Sequence, residues 1–239
     1  DYFSYIMKSA SEVYVAGFGA AGALGNGSTG NKTYFAGITK NISDVKQIVC
    51  GGDSTYILKN DGSVWATGDN SYGQLGLGNT TQYLYFTKVT TNINNDVIKI
   101  AAGKHHVMIL KKDKTVFTCG RNNYGQLGIN STTNQSTFTK VTSNVDNVKQ
   151  IACGPYQSYI IKNGGSLHGC GDNSSYQLGI STLGGGSYKT AMTSSSYASS
   201  GVSVVCGGLA FMLYATNKTT IKCWGAPDNG QNGSNTTDT

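Results

Sequence analysis

Short hydrophobic runs separated by polar and glycine-rich turns recur along the whole chain. Within residues 45–96, the pattern predicts a buried strand at Val45–Cys50 and further strands at 55–59 and 63–67. The Asn-Asp-Gly sequence at 60–62 is a tight-turn signal between two strands. A weaker run at 83–89 predicts a fourth strand. The unit is therefore three or four short antiparallel strands, and no segment has the pattern of a capped helix.

Two landmarks repeat with a fixed period. The sequence Gly-Asp-Asn-Ser-Tyr-Gly-Gln-Leu-Gly at 68–76 returns with changes at 120–128 and 171–179, and more faintly at 17–25. Hydrophobic runs also end in glycine with spacings of 52, 51 and 53 residues, at Gly51, Gly103, Gly154 and Gly207. One small sheet cannot bury both of its faces, so successive repeats must stack. Radial stacking of such sheets gives an all-β propeller.

The repeats predict one propeller domain over residues 1–239. We place repeats at 1–51, 52–103, 104–154 and 155–207, about 51 residues each, with a partial fifth at 208–239. The first repeat begins after its first strand, and the last ends before a fourth strand. We therefore expect an arc of a larger ring with unpaired blade edges, and the alternative is a closed five-bladed ring.

The unit resembles the RCC1 (regulator of chromosome condensation) repeat. The resemblance rests on the Asn-Asp-Gly turn, the Val-Trp-Ala-Thr-Gly strand at 64–68 and the Gly-Gln-Leu-Gly tetrads at 73–76 and 125–128. WD40 repeats are shorter, and kelch repeats lack this tetrad. The resemblance implies a propeller, usually of seven blades, that binds proteins through loops on one face. It does not determine the function, because one fold supports many functions.

One position weakens the transfer of guanine nucleotide exchange activity from that family. Members often carry a histidine three residues after the strand-end glycine. Here only His106 matches, and we align Ser54, Gln157 and Ala210 with it.

Composition and charge exclude several classes of protein. The 239 residues are 38% hydrophobic and 13% charged, which suits a folded domain. The net charge is +6, but it comes from dispersed lysines, and Arg121 is the only arginine. Because nucleic-acid readers favour arginine, we expect no nucleic-acid partner. No apolar run is long enough to span a bilayer.

No residue pattern predicts an active site, a metal site or a cofactor site. Asp69 and Asp172 share a loop position with Arg121, which indicates a solvated turn. His168 stands where other repeats have Trp65 and Phe117, so we expect a packed or half-exposed strand residue.

The cysteines do not suggest metal binding or disulfide bonds. We align Cys50, Cys153 and Cys206 with Ala102, in a slot for a small residue, which indicates packing. There is no Cys-x-x-Cys motif.

Functional residues are expected where the copies disagree. The segment after the strand-end glycine reads Gly-Asp-Ser, Lys-His-His, Pro-Tyr-Gln and Gly-Leu-Ala-Phe in successive repeats. Aromatic and cationic side chains there are typical of binding hot spots, and the alternative is neutral drift of a surface loop. A second divergent stretch, 181–200, is rich in Gly, Ser and Tyr and is interpreted as a flexible insertion, and the alternative is an adaptable contact loop. The candidate binding residues are Asp53, Lys104, His105, His106, Tyr156 and Phe211.

Ten Asn-x-Ser/Thr sequences favour an extracellular or surface setting. The candidate glycosylation sites are Asn26, Asn79, Asn130, Asn173, Asn217 and Asn235.

Three functions follow as hypotheses. The first is a non-enzymatic protein-binding or structural module of a surface, secreted or virion assembly, which could also self-associate through blade edges. The alternative is a guanine nucleotide exchange factor or another intracellular regulator of the RCC1 type. The third is a glycan-active enzyme, which would need two carboxylates about 5–10 Å apart in a cleft.

Overall fold

A computed structural model describes residues 3–180, 188–196, 198, 200–216 and 220–225. This part of the chain is all-β, as predicted: it contains eighteen strands and one three-residue 3-10 helix, Ala20–Gly22, but no α-helix. None of its helical structure is long and apolar enough to cross a bilayer.

The strands form five antiparallel sheets, called blades 1 to 5, that follow one another in chain order. Each strand pairs with its neighbours in sequence within the blade. Blade 1 contains β1 (Phe3–Ser9), β2 (Glu12–Gly17) and β3 (Lys32–Gly37). Blade 2 contains β4 (Val45–Cys50), β5 (Ser54–Lys59), β6 (Val64–Gly68) and β7 (Tyr83–Lys88). Blade 3 contains β8 (Val97–Ala102), β9 (His106–Lys111), β10 (Val116–Gly120) and β11 (Gln135–Lys140). Blade 4 contains β12 (Val148–Cys153), β13 (Gln157–Lys162), β14 (Leu167–Asp172) and β15 (Tyr188–Ser194). Blade 5 contains β16 (Val202–Gly207), β17 (Phe211–Thr216) and β18 (Thr220–Gly225).

The predicted strands of the 45–96 unit agree with blade 2 to within one residue at each end. The outer blades are three-stranded in the part of the chain that is described. Blade 1 has the counterparts of β5, β6 and β7, and blade 5 has those of β4, β5 and β6.

The hydrophobic core lies between consecutive blades. Four clusters of buried side chains join blades 1 and 2, 2 and 3, 3 and 4, and 4 and 5. Phe86, Phe138 and Met192 hold the same position on the fourth strands of blades 2, 3 and 4, and each is almost completely buried. Stacking therefore buries the faces that a single small sheet would expose.

The repeated glycine sequence forms the joint between blades. A Cβ atom on Gly76 would lie 2.6 Å from a ring carbon of Phe138 in the next blade, and one on Gly73 would lie 2.4 Å from the Cα atom of Ser136. Directly after the tetrad, the Gly78 N–H donates to the Ser136 carbonyl at 2.9 Å. Only glycine permits so close an approach at positive φ. The tetrads are therefore scaffold, as the sequence indicated.

Blade 5 corrects our alignment of the fifth repeat by one residue. The Gly208 N–H donates to the Phe211 carbonyl just as the Gly154 N–H donates to the Gln157 carbonyl. The spacing is therefore 54 residues rather than 53, and Phe211, not Ala210, stands at the position of His106. Two consecutive glycines end the β16 segment, so periodicity alone could not select the right one.

The same shift moves Cys206 out of line with Cys153. Its side chain is exposed, whereas our alignment had predicted packing.

Candidate functional site

Four loops that connect the first and second strands of blades 2 to 5 border one open cavity of about 690 Å³. We call them the inner loops; they are Gly52-Asp53, Lys104-His105, Pro155-Tyr156 and Leu209-Ala210. The structure brings Asp53, Lys104 and Tyr156 to this cavity, together with Leu209 from blade 5.

Backbone hydrogen bonds hold the inner loops in a ladder from blade to blade. The Gly52 N–H donates to the Lys104 carbonyl at 2.8 Å, and the Lys104 N–H donates to the Pro155 carbonyl at 3.0 Å. The next bond in this series would need an N–H on Pro155, which proline lacks. In its place the Gln157 side-chain amide donates to the Leu209 carbonyl at 3.3 Å. The loop backbones are thus equivalent while their side chains differ.

Tyr156 is the centre of one aromatic contact at the cavity. Its ring lies 5.6 Å from the ring of Tyr124, which comes from the glycine-rich loop of blade 3. The Lys104 ammonium lies 5.9 Å from the Tyr156 ring centroid, within the range of a cation–π interaction.

A second contact of the same kind lies one blade earlier. His105 packs against Tyr72, from the glycine-rich loop of blade 2, with ring centroids 5.3 Å apart. The Arg121 guanidinium lies 5.0 Å from the same tyrosine ring. Burial and the nearby Lys104 charge lower the pKa of His105, with Asp69 acting in the opposite direction. We call Tyr72, Lys104, His105, Arg121, Tyr124 and Tyr156 the loop face.

His106 is not in a loop, as we had expected, but is the first residue of β9 and is only 1% exposed. Its Nε2 atom lies 2.9 Å from the Ser158 hydroxyl of blade 4. Burial lowers the pKa of His106 to about 4. Its surroundings fit a structural joint between blades, and we leave it out of the loop face.

Phe211 likewise begins a strand, β17, and is half-buried against Gly208. In blade 5 the exposed hydrophobic residue at the cavity is Leu209, at 61%.

The cavity offers little chemistry to an enzyme. Asp53 is the one carboxylate among the described residues that line it. Burial raises the pKa of the Cys50 and Cys153 thiols to about 11 and 12, so both are protonated at neutral pH and are poor nucleophiles. The part of the chain that the structure describes contains no group of three potential metal ligands. His168 is buried on β14, as predicted, with Ser166 and Ser194 beside its ring.

The candidate glycosylation sites differ in access. Asn130 is exposed, whereas Asn26 and Asn79 are half-buried. Asn173 is completely buried, and its side-chain oxygen accepts the Leu178 N–H, so the folded chain presents no amide there for a sugar. Asn217 and Asn235 lie outside the described residues, as do residues 181–187, 197 and 199 of the divergent stretch 181–200.

Sequence reasoning missed half of the loop face. Tyr72 and Tyr124 belong to the repeated motif and were therefore treated as scaffold. Arg121 was interpreted as a solvated turn residue, but it is half-buried against Tyr72. The sequence signal that could have identified Arg121 is that blades 2 and 4 have aspartate at the same repeat position.

Comparisons with known proteins agree with this architecture. Two profiles described as "Regulator of chromosome condensation (RCC1) repeat" match the chain, one at residues 61–110 and 113–161, the other at 45–74, 97–126 and 148–177. The human "Probable E3 ubiquitin-protein ligase HERC4" is 30% identical over 182 residues, 74% of this chain and 17% of that protein. The mouse "X-linked retinitis pigmentosa GTPase regulator" is 31% identical over 134 residues, 55% of this chain and 13% of that protein. The chain thus spans less than a fifth of the length of either relative.

Two solved structures of yeast Prp20 superpose on almost all of the chain. The first is Kap60 bound to yeast RCC1 (Prp20), with a TM-score of 0.85 and 20% identity, covering 100% of this chain and 57% of that one. The second, Prp20p from Saccharomyces cerevisiae, has a TM-score of 0.83 and 20% identity, covering 95% and 56%. At this identity the likeness concerns the fold.

Proposed function

Because this chain belongs to the RCC1 repeat family, we propose that it is a non-enzymatic, protein-binding propeller of the RCC1 regulator type. Its partner contacts the loop face. The observation that carries the proposal is the pair of matched contacts, Tyr72 with His105 and Tyr124 with Tyr156, in which aromatic side chains pack against the inner loops. Of the loop face, Lys104 and Tyr156 also line the open cavity.

The composition of the loop face supports protein recognition. Tyrosine and arginine are enriched in binding hot spots, where they provide large contact areas. The backbone ladder holds these side chains on rigid strand ends, so little ordering is required when a partner binds. The scaffold constrains the loop backbones, whereas it does not explain why their side chains differ between blades.

An RCC1-type regulator is supported better than a structural module of a surface, secreted or virion assembly. The relatives include a GTPase regulator and a protein named as a probable ubiquitin ligase, although the chain covers only a fraction of each. A setting on a cell surface or virion, and glycosylation, stay predictions. An enzymatic role has no support from the cavity, because its described lining holds a single carboxylate and protonated thiols.

The test uses partners that a relative suggests. One Prp20p structure is described with that protein's binding to Gsp1p and histones. We would measure binding of purified Gsp1p and of histones to this chain by biolayer interferometry, and release of fluorescent GDP from Gsp1p. Saturable binding of either probe is expected, and Tyr156→Ala should weaken it at least about tenfold, as for a hot-spot tyrosine.

The matched control is Tyr34→Ala, because Tyr34 is a 68% exposed tyrosine on β3, away from the inner loops. It should leave binding unchanged. Binding that accelerates GDP release would place the chain in the exchange-factor class, and binding without release supports a binding module. No binding of either probe at about 100 µM, or equal losses in the two variants, would overturn the proposal.

A further inference from the structure

Arg121 cannot make the hydrogen bond that an aspartate makes at the same repeat position in blades 2 and 4. In blade 2 the Gln74 side-chain amide donates to Asp69 at 2.6 Å, and in blade 4 Gln177 donates to Asp172 at 2.8 Å. Arginine in blade 3 cannot accept such a bond, because its guanidinium carries only donors. Positions where a repeat departs from its own scaffold chemistry are the positions where function is expected.

The lost contact is replaced by a cluster of basic side chains. Arg121 lies over the Tyr72 ring, which also contacts His105, and the chain neighbour of His105 is Lys104. Neither Arg121 nor Lys104 forms an ion pair within the described residues. Their charges are therefore not neutralised by a contacting carboxylate in that part of the chain.

Two nitrogen atoms of this cluster also have no hydrogen-bond partner among the described residues. They are Nδ1 of His105 and Nε of Arg121, and both atoms are shielded from bulk water. Buried polar nitrogens are nearly always bonded, so two beside one tyrosine ring require an explanation. The nearest acidic groups do not supply it, since Asp69 is occupied by Gln74 and Ser71.

We propose that Lys104, His105 and Arg121 form an anion-binding patch that receives an acidic, carboxylate-rich segment of the protein partner. The proposal deepens the proposed function, on which it rests, by naming the chemistry of the partner. Arginine binds a carboxylate with two parallel hydrogen bonds, and the Tyr72 ring beside Arg121 shields this site from water, which strengthens the attraction. A nucleic acid is a poorer fit, because its readers favour arginine and Arg121 is the only arginine in the chain.

The experiment measures fluorescence anisotropy of fluorescein-labelled octaglutamate with the whole chain in about 0.1 M salt, where charges more than about 10 Å apart are largely screened. The decisive variant is Arg121→Asp, which introduces the residue that blades 2 and 4 carry at this position and so offers Gln126 the missing acceptor. We expect it to fold at least as stably as the parent protein and to weaken octaglutamate binding at least about tenfold.

The control is Lys112→Asp, which makes the same change of charge at an exposed site directly after β9, at the far end of that strand from the inner loops. It should weaken binding less than about twofold, since exposed distant charges are screened. Equal weakening by both variants would mean attraction to net charge alone and would overturn the proposal. Tighter binding of an eight-residue single-stranded oligothymidylate than of octaglutamate would overturn it in favour of nucleic acid.

The two proposals can fail separately. If Gsp1p or histones bind through Tyr156 but octaglutamate does not bind, the binding function stands and the acidic partner is wrong. If octaglutamate behaves as expected but neither protein binds, the patch stands, and the regulator class taken from Prp20 is wrong.

Discussion

Two phenylalanines at one repeat position test whether the joint between blades stabilises the fold. Phe86 on β7 is completely buried, and a Cβ atom on Gly25 of the preceding blade would lie 2.5 Å from its ring. Phe35 on β3 is its counterpart in blade 1, but no described residue precedes blade 1 to cover it, and it is 45% exposed. Replacing each by alanine removes the same atoms from the same strand position in different surroundings.

The structure sets the size of the difference. Burying a phenylalanine removes roughly 150–200 Å² from water, which stabilises a protein by about 4 kcal/mol at 25 cal/mol per Å². Phe86→Ala also leaves a closed cavity, so a loss of about 3–5 kcal/mol is expected. Phe35→Ala forgoes about half of that area and leaves no closed cavity, because water enters, so the loss should be about 1–2 kcal/mol.

Urea denaturation followed by circular dichroism measures both losses. With a slope of about 3 kcal/mol per M, Phe86→Ala should lower the midpoint by about 1 M or more, and Phe35→Ala by about 0.5 M or less. Equal midpoints for the two variants would refute the idea that packing of the glycine tetrads on the next blade is a main source of stability. Unchanged slopes are needed for the comparison, because they show that the same surface is exposed.

Two further predictions concern the joint at His106. The pKa of His106 in the folded protein, about 4, lies below the ordinary value of 6.5, so between these values the unfolded chain binds one more proton than the folded chain. The free energy of unfolding should therefore fall by about 3 kcal/mol as the pH drops from 6.5 to 4. His106→Gln, which introduces the side chain that Gln157 provides in blade 4, should remove that part of the pH dependence of the urea midpoint; an unchanged pH profile would contradict the assignment. Gly103→Ala should cost several kcal/mol, because the new Cβ would lie 2.1 Å from the His106 ring and 2.6 Å from the Gly154 carbonyl oxygen. Gly164→Ala is the control, since nothing lies within 4 Å of a Cβ there, and thermal unfolding that ranks the two alike would sink the argument.

The glycine positions explain why an alignment by period failed only in blade 5. In blades 3 and 4 a single glycine ends the strand. In blade 2 two glycines follow one another, but the first of them, Gly51, lies at the expected spacing. At the end of β16, Gly207 and Gly208 are both candidates for the strand-end glycine. The correct choice depends on the Gly208 N–H reaching the Phe211 carbonyl, a contact made across the hairpin.

The sequence by itself determined the strands, the turns and the repeat. Alternation, the Asn-Asp-Gly turn at 60–62 and the glycine tetrads are local signals, because each depends on the conformation of a few neighbouring residues. Stacking into an all-β propeller followed from the period, since a single sheet cannot bury both faces. The divergent inner loops were also recognised as the place to look, and the structure brings Asp53, Lys104 and Tyr156 to one cavity. That these residues bind a partner stays a prediction.

Only the tertiary structure decided which side chains share the loop face. Tyr72 meets His105, and Tyr124 meets Tyr156, across a blade boundary that separates them by more than thirty residues in the chain. His106 does not belong to the loop face, because its ring is buried at the start of β9 against Ser158 of blade 4. Such contacts depend on the lateral packing of whole sheets, whose geometry is the sum of many weak interactions, and no local pattern encodes it.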